Sequence, residues 1–402
     1  MFFKSNSVLV GFDKSSIAKA NEFNFLNFIQ NASIDVSAQR IYSNPIGSSK
    51  STSSQFTFPN VNINLSYLQR VDLFNEFLFG FNIVSAASTT PFVHKFKNGF
   101  LNKNCFFLVH ETEGVDILNE IRLKSLFSSL IKVISFNNIY LNKYSISYAI
   151  GSAPIVNANF LASKMNIGNV QNDTNFYFLN PEGDRFNLDF SKATDLFRQT
   201  NENQRENIVY HMQNFSFSNT FDANIPGIQV NTLLNGVIQS LELNLEFERN
   251  KFWFFSKNYE DQKMILPLKG NLKFSGISSV LINENLNSFF QNDKEFNTTI
   301  SLGKDVSGKD FYQIQINNLK IVSFNYSIDV NGMLNYSMDC YFEVYETGGA
   351  IIRQIKDKLG GTDPVSSNGD FIISSDGSSV TTFSQSNSET PIIDPDITLE
   401  VL

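Results

Sequence analysis

The sequence predicts a mainly β protein: two tandem, related β-sandwich or split-barrel domains with one or two short helices and an arm at each end. Apolar side chains alternate through Tyr144–Ile150 and Val156–Phe160, as in half-buried antiparallel strands. A break at Gly151–Pro154 separates these two runs, and Asn331-Gly332 separates a second, similar pair. Both breaks are typical of hairpin turns. The same hairpin pattern therefore occurs twice, 180 positions apart.

Matches outside the hairpin extend this repeat. Three further patches are Val61–Tyr67 with Leu241–Phe247 at 180 positions, Phe100–Asn104 with Leu281–Asn285 at 181, and Ile131, Ile134 and Phe136 with Phe311, Ile314 and Ile316 at 180. A slip of one residue would turn every core side chain to the other face of a strand, so a nearly constant offset favours one unit of roughly 110 residues used twice. The alternative is chance similarity between two all-β domains.

These patterns divide the chain into five parts. They are an N-terminal arm (1–54), a first β domain (55–166), an inter-domain insertion (167–230), a second β domain (231–347) and an acidic, Ser/Gly-rich C-terminal arm (348–402). A hairpin pattern at Phe371–Phe383 suggests that the last arm could pair with a neighbour's sheet edge. A flexible acidic tail is the equally open alternative.

Helical spacing is rare in this sequence. A helix is predicted over Ile17–Ile29, capped by the preceding serines, and others near Asn207–Asn214 and over Ile277–Phe290. The segment Val115–Ile131 has apolar residues at helical spacing, but its counterpart in the second repeat, Leu302–Asp310, reads as a turn. We therefore predict strand, turn, strand there.

The charge distribution argues against tight nucleic-acid binding. The net charge is −8, but residues 361–402 carry seven acids and no Lys or Arg, which leaves 31 basic against 32 acidic residues in the body. A near-neutral body has no basic stripe for phosphates. Its few charges suit a subunit that buries much of its surface against neighbours.

No secretion, membrane or disulfide pattern is predicted. The only cysteines, Cys105 and Cys340, do not occupy matching repeat positions, so folding in a reducing cytosol is expected. The apolar run Val8–Val10 is too short for a signal peptide, and no stretch approaches the ~18 apolar residues of a membrane helix.

Candidate chemical motifs each fail on a specific residue. The segment Gly303–Asp310 nearly matches a phosphate-binding loop, but Asp310 replaces the Ser or Thr that holds Mg²⁺, and a strand pattern follows. His94, Cys105 and His110 match no zinc spacing and lack a fourth ligand, and His211 is the only other histidine.

Carboxylates offer no convergent site either. Glu111 and Glu113 are read as solvated loop residues, and Asp394 and Asp396 could bind Ca²⁺ only weakly because no binding loop surrounds them. We therefore predict no catalytic, cofactor-binding or metal-binding residues, no cofactor and no enzyme activity.

Several segments together resemble the tail tube (major tail) proteins of long-tailed bacteriophages, in a form with a duplicated domain. The likeness covers about 60% of the chain and rests on Asn64–Tyr67, Asn75-Glu76, Leu78–Gly80, Tyr144–Tyr148 with Gly151, Val156–Phe160, Ile265–Leu268, Gly270–Lys273 and Phe324–Phe342. Residues 1–50, 167–230 and 361–402 lie outside it.

The resemblance implies a structural virion protein, assembled in the host cytoplasm, whose rings stack into a hollow tail tube that conducts DNA during ejection. It implies copies of itself and other tail proteins as partners, no membrane, and DNA that passes without sequence-specific binding. Three chains could form a pseudo-sixfold ring, or six chains could form it with the second unit outside. The alternative function is a β-sandwich adhesin or carbohydrate-binding protein of the virion surface.

Overall fold

The computed structural model describes a little under half of the chain, mostly strands. The described residues are 8–13, 23–26, 28–38, 40–43, 53–56, 60–69, 74–79, 81, 83–85, 103–110, 117, 131–149, 152–162, 164–172, 176–180, 183, 185–187, 215–218, 237–253, 260–278, 295–304, 310–328, 334–344 and 350–354.

Strands dominate these residues. Up to residue 187 the strands and the one short helix are β1 (Val8–Asp13), β2 (Phe23–Phe25), β3 (Ile29–Ser37), β4 (Arg40–Ser43), β5 (Ser53–Phe56), β6 (Asn60–Leu68), α1 (Phe74–Leu78), β7 (Ile83–Ser85), β8 (Lys103–His110), β9 (Ile131–Ala149), β10 (Ile155–Ala162), β11 (Lys164–Asn169), β12 (Gln171–Asn172), β13 (Phe176–Leu179) and β14 (Arg185–Asn187), all among the described residues. After residue 187 they are β15 (Phe215–Ser218), β16 (Val237–Glu246), β17 (Arg249–Trp253), β18 (Glu260–Met264), β19 (Leu268–Ser278), β20 (Phe296–Lys304), β21 (Asp310–Ile328), β22 (Leu334–Val344) and β23 (Ala350–Gln354). The predicted mainly β class is confirmed.

An eight-stranded antiparallel sheet forms the centre of the molecule. Its strand order is β21, β22, β19, β16, β9, β10, β6, β3. The two 19-residue strands β9 and β21 run beyond it, and their first halves pair with β8 and β11 and with β20 and β23, respectively. Each long strand therefore belongs to two sheets, and the layering is consistent with a β-sandwich.

Alternation along the strands gives the central sheet one apolar and one polar face. In β6, Val61, Ile63, Leu65 and Tyr67 are at most 1% exposed, while the residues between them are partly exposed. The apolar face packs into one continuous core with residues of β1, β8, β20 and the first half of β21. This pattern is the period of two that the sequence predicts for a sheet covered on one side.

The two halves of the sheet match each other in strand partners and register. In chain order, β3, β6, β8, β9, β10 and β11 pair with one another as β16, β19, β20, β21, β22 and β23 do. Phe160 pairs with Leu141 and Ile63 in the first half, and Cys340 pairs with Ile321 and Leu272 in the second. The offset is thus 180 positions for β9 and β10, and 209 for β6.

Three register irregularities recur at matching places. The ladder skips Asn142 in β9 and Val322 in β21, which are 180 positions apart. It skips Gln30 in β3 and Gln239 in β16, which are 209 apart. The third occurs where β8 meets β9 and where β20 meets β21, and there the Asn318 backbone has φ of 58° and its N–H donates to Asn297 Oδ1 at 3.1 Å. Bulges are specific features of a sheet, so their agreement is a stronger correspondence than alternation alone.

This register corrects two sequence matches. Lys103 of β8 is opposite Ile139, and its counterpart by partner and register is Phe296, opposite Leu319. The predicted match of 100–104 with 281–285 is therefore wrong at Lys103.

Residues 61–67 lie in β6, whose counterpart by partners and register is β19, so the predicted match to 241–247 is wrong. The latter residues lie in β16 and its end, and β16 corresponds to β3, within the predicted N-terminal arm. Strands with the same alternation are interchangeable by sequence pattern, and hydrogen-bonding partners distinguish them.

Two local predictions are also wrong where the structure describes them. The helix predicted over Ile17–Ile29 is contradicted by β2 and by the start of β3 at Ile29, because both segments add to sheets. Within the strand–turn–strand predicted for Val115–Ile131, Ile117 is buried with a helical backbone. Of the helix predicted at Ile277–Phe290, the first two residues end β19, and the rest lies outside the described residues, as do 207–214 and 371–383.

The short helix α1 is fixed to the apolar face of the sheet by buried polar contacts. Tyr67 Oη and Tyr144 Oη donate to Glu76 Oε1 at 2.9 and 3.2 Å, and Tyr148 Oη donates to Gln69 Oε1 at 2.9 Å. Glu76 is 2% exposed and Gln69 is 1% exposed. A buried carboxylate needs such donors, so the two hydrogen bonds to Glu76 hold the helix in one position over strands β6 and β9.

We expect the free energy of unfolding to fall as pH rises above about 10. Burial, and then the charge of Glu76, raise the pKa of Tyr67, Tyr144 and Tyr148 well above the ordinary value of 10.0. Below about pH 10 these tyrosines are protonated in both the folded and the unfolded chain. Above about pH 10 they ionise only in the unfolded chain, which favours unfolding. Urea titrations at several pH values measure the slope, and Tyr148→Phe should make it shallower. An unchanged slope in that variant would contradict the assignment.

Candidate assembly interface

Among the described residues, the two halves of the central sheet are joined by one strand pair, β9 with β16. The pairing is antiparallel and runs from Ser240 opposite Ala149 to Glu246 opposite Lys143, with Leu243 opposite Ile146 at its middle. Beyond the last pair, the Phe247 N–H donates to the carbonyl of the bulge residue Asn142 at 2.9 Å. We call this pair the internal junction.

The internal junction buries its apolar side chains almost completely. Leu241, Leu243 and Leu245 of β16 are 2–4% exposed, and the facing Tyr144, Ile146 and Tyr148 of β9 are 1–5% exposed. On the polar face, Lys143 Nζ and Glu246 Oε1 are 2.9 Å apart. Because that ion pair is solvent-exposed, it contributes little to the stability of the junction. The backbone hydrogen bonds and the buried apolar side chains hold the halves together.

The first open edge of the sheet is β3. Among the described residues, β3 pairs with β6 on one side only. Its side chains on the apolar face, Ala32, Ile34 and Val36, are opposite the buried Leu65, Ile63 and Val61. Val36 is nevertheless 51% exposed. An unpaired strand with an exposed apolar face is a site at which another strand can add.

The second open edge is the last half of β21. Within the part of the chain that the structure describes, residues 320–328 pair with β22 alone, whereas the corresponding half of β9 pairs with both β10 and β16. Val322 is 58% exposed and Ile328 is 73% exposed. These are the largest exposures among apolar residues of the central sheet.

The polar face of the sheet is mostly uncharged. Asn and Ser side chains supply most of it: Asn31, Ser33, Asn62, Asn64, Ser66, Ser145, Ser147, Asn157, Asn159, Asn244, Asn271, Ser275, Ser323, Asn325, Ser327 and Ser337. Lysines on this side of the sheet lie close to carboxylates. Lys273 Nζ is 3.9 Å from Asp339 Oδ1, and Lys143 forms an ion pair with Glu246. The face therefore has no strong field of either sign.

The residues considered for chemistry do not converge. Cys105 and His110 lie buried in β8, and Cys340 lies buried in β22. Lys304 and Asp310 face each other where β20 meets β21, as expected of a hairpin between strands. His94, Glu111, Glu113, His211, Asp394 and Asp396 lie outside the described residues. Among the described residues, no three His, Cys, Asp or Glu side chains form a group that could hold a metal.

The two edges are the functional candidates that the sequence alone does not find. Alternation predicts each strand, but the end of a sheet is defined by the absence of a partner, which has no local signal. The sequence contains one indication of the edges. Val36 and Ile328 are apolar residues between polar neighbours, and the structure leaves both of them exposed.

No helix in the described part of the chain is long and apolar enough to span a membrane.

Comparison with known proteins assigns the chain to no family: no protein-family model matches it, and a search of curated proteins finds no match.

Proposed function

We propose that this protein is a structural virion protein of the tail tube type, built from two copies of one unit, which closes with its own copies into rings that stack as a hollow tube for DNA. The observation that carries the proposal is the central sheet with two open edges. Its two halves are already joined by the kind of strand pair that the edges would form. Closing into a barrel with other chains completes the hydrogen bonding of both edges.

The polar face suits the lining of such a tube. Its Asn and Ser side chains and locally paired charges offer hydrogen bonds without a basic surface that would retain phosphates. The apolar face is covered by the chain's own core. The polar face is therefore the one available to line the lumen.

Three chains per ring fit the sheet better than six. Both halves contribute four strands to one sheet, which does not favour a second unit outside the ring. Three copies of eight strands spaced about 4.8 Å apart give a barrel roughly 37–48 Å across for tilts of about 0–40°. Side chains of about 5 Å on each side leave a lumen that admits a DNA duplex. Six copies would double that diameter.

Electron microscopy of the purified protein tests this function. We expect hollow tubes of stacked rings, whose class averages show threefold symmetry with six similar lobes. Particles that remain single chains at micromolar concentration and above, or rings with six whole chains, would contradict the proposal as stated.

The adhesin alternative is favoured less by the described surface. A glycan-binding protein needs exposed aromatic side chains as platforms, whereas the exposed large apolar residues include one aromatic, Phe28, among the residues that the structure describes. A glycan array on the same preparation separates the two functions, since a tube protein should bind no glycan on it.

A further inference from the structure

We infer that the edge β3 of one copy pairs with residues 320–328 of β21 in the next copy, in the register of the internal junction. The inference rests on the proposed self-assembly and goes further by assigning the partner strand and the residue pairs. The partner is a second copy of this chain, and the contact is head-to-tail, because the two edges are different surfaces.

The register follows from two correspondences within the chain. Strand β16 corresponds to β3 at 209 positions, and β9 corresponds to β21 at 180. Leu243 opposite Ile146 in the internal junction therefore translates to Ile34 opposite Tyr326 between chains. By the same translation, Glu242 opposite Ser147 becomes Ser33 opposite Ser327, and Leu241 opposite Tyr148 becomes Ala32 opposite Ile328.

The exposed apolar residues lie at the positions that this register would cover. Val36 corresponds to Leu245, which is 3% exposed in the internal junction, and Ile328 corresponds to Tyr148, which is 4% exposed. At the open edges they are 51% and 73% exposed. Pairing of the edges would give them the environment that their counterparts already have.

The bulge provides one further contact. In the internal junction, the carbonyl of Asn142 accepts a hydrogen bond from the N–H of Phe247. The corresponding residues are Val322, whose bulge leaves it 58% exposed, and Ala38, directly after β3. The Ala38 N–H is thus assigned to the carbonyl of Val322 in the neighbouring copy.

At the paired positions that the structure describes, no like charges face each other. The ion pair Lys143–Glu246 of the internal junction translates to Ser323 and Ser37, which are neutral. Asp35 of β3 falls opposite Asn325. The junction between chains therefore depends on the backbone ladder and apolar contact, and we expect little effect of salt on its stability.

Cysteine cross-linking tests the register. Ser33 and Ser327 are both exposed, so Ser33→Cys with Ser327→Cys should not disturb folding. Oxidation should give a covalent ladder that ends at three chains. Mixing the two single-cysteine variants should give covalent dimers, which can form only between chains. The variant Ser147→Cys with Glu242→Cys reports the internal junction and should cross-link within one chain.

The control is Ser33→Cys with Asn325→Cys, which keeps both side chains on the polar face but is two residues out of register. We expect at least tenfold slower cross-linking from it. Equal rates, or cross-links confined to single chains, would overturn the inference. Tubes that form without cross-linking in this register would overturn it and leave the tube function standing. Cross-linked trimers that never form tubes would support the junction and overturn the function.

Discussion

Val36→Lys and Ile328→Lys should each abolish assembly and leave the fold of the single chain unchanged. Both side chains lie on the apolar face of an open edge, where they are 51% and 73% exposed, so a lysine there is solvated in the isolated chain. In a paired edge the same lysine would enter the core beside apolar residues. Inward-pointing charges on edge strands prevent strand addition in this way.

The size of the effect on assembly follows from the cost of burying an unpaired charge in a core. If each buried lysine destabilises its junction by about 3 kcal/mol, the association constant should fall more than about a hundredfold. Sedimentation velocity measures the ring fraction, and circular dichroism with urea unfolding measures the chain's own stability. The free energy of unfolding of the single chain should change by less than about 0.5 kcal/mol.

Ile167→Lys is the matched control for these two variants. Ile167 is 61% exposed in β11, away from both edges of the central sheet, so the same added charge should leave assembly intact. If all three variants assembled equally well, the edges could not be the contact. If all three failed, net charge rather than position would be responsible.

The sequence predicts the strands of this protein far better than their partners. Alternation correctly places β6, β9, β10 and β22, since each of these strands has one covered face. It cannot distinguish β16 from β19 as the counterpart of β6, because both strands alternate apolar and polar residues in the same way. Partner choice depends on distant backbone groups, which leave no local pattern.

The helix α1 shows a second limit of sequence patterns. Five residues are too few for a periodic signal, and its position depends on Tyr67, Tyr144 and Glu76, which are brought together by the fold. Conversely, the predicted helix at Ile17–Ile29 had apolar residues at suitable spacing, but β2 and β3 gain sheet hydrogen bonds instead. Tertiary pairing outweighs the small differences in intrinsic propensity.

Gly270→Val should destabilise the chain strongly. Gly270 is buried in β19 directly opposite Phe342, and an added Cβ would enter the Phe342 ring. The ring is 1% exposed, so the added side chain must displace it within the core, and we expect a loss of about 3 kcal/mol in the free energy of unfolding. Phe342→Ala alone leaves a cavity and should cost about 4 kcal/mol.

The matching half of the sheet supplies the compensating change. The counterparts of Gly270 and Phe342, at offsets of 209 and 180, are Val61 and Ala162, which also pair directly. The second half therefore places a glycine opposite a large ring, and the first half places valine opposite alanine. The two pairs fill a similar total volume. The double variant Gly270→Val with Phe342→Ala copies the second solution into the first location.

We expect the double variant to be at least about 2 kcal/mol more stable than the sum of the two single changes predicts, because each change fills or frees the space that the other alters. Urea unfolding of the four chains of this cycle measures the coupling. Additive effects would mean that the two positions are not equivalent to Val61 and Ala162. The register behind the proposed contact between chains would then lose its support, because that contact uses the same two offsets.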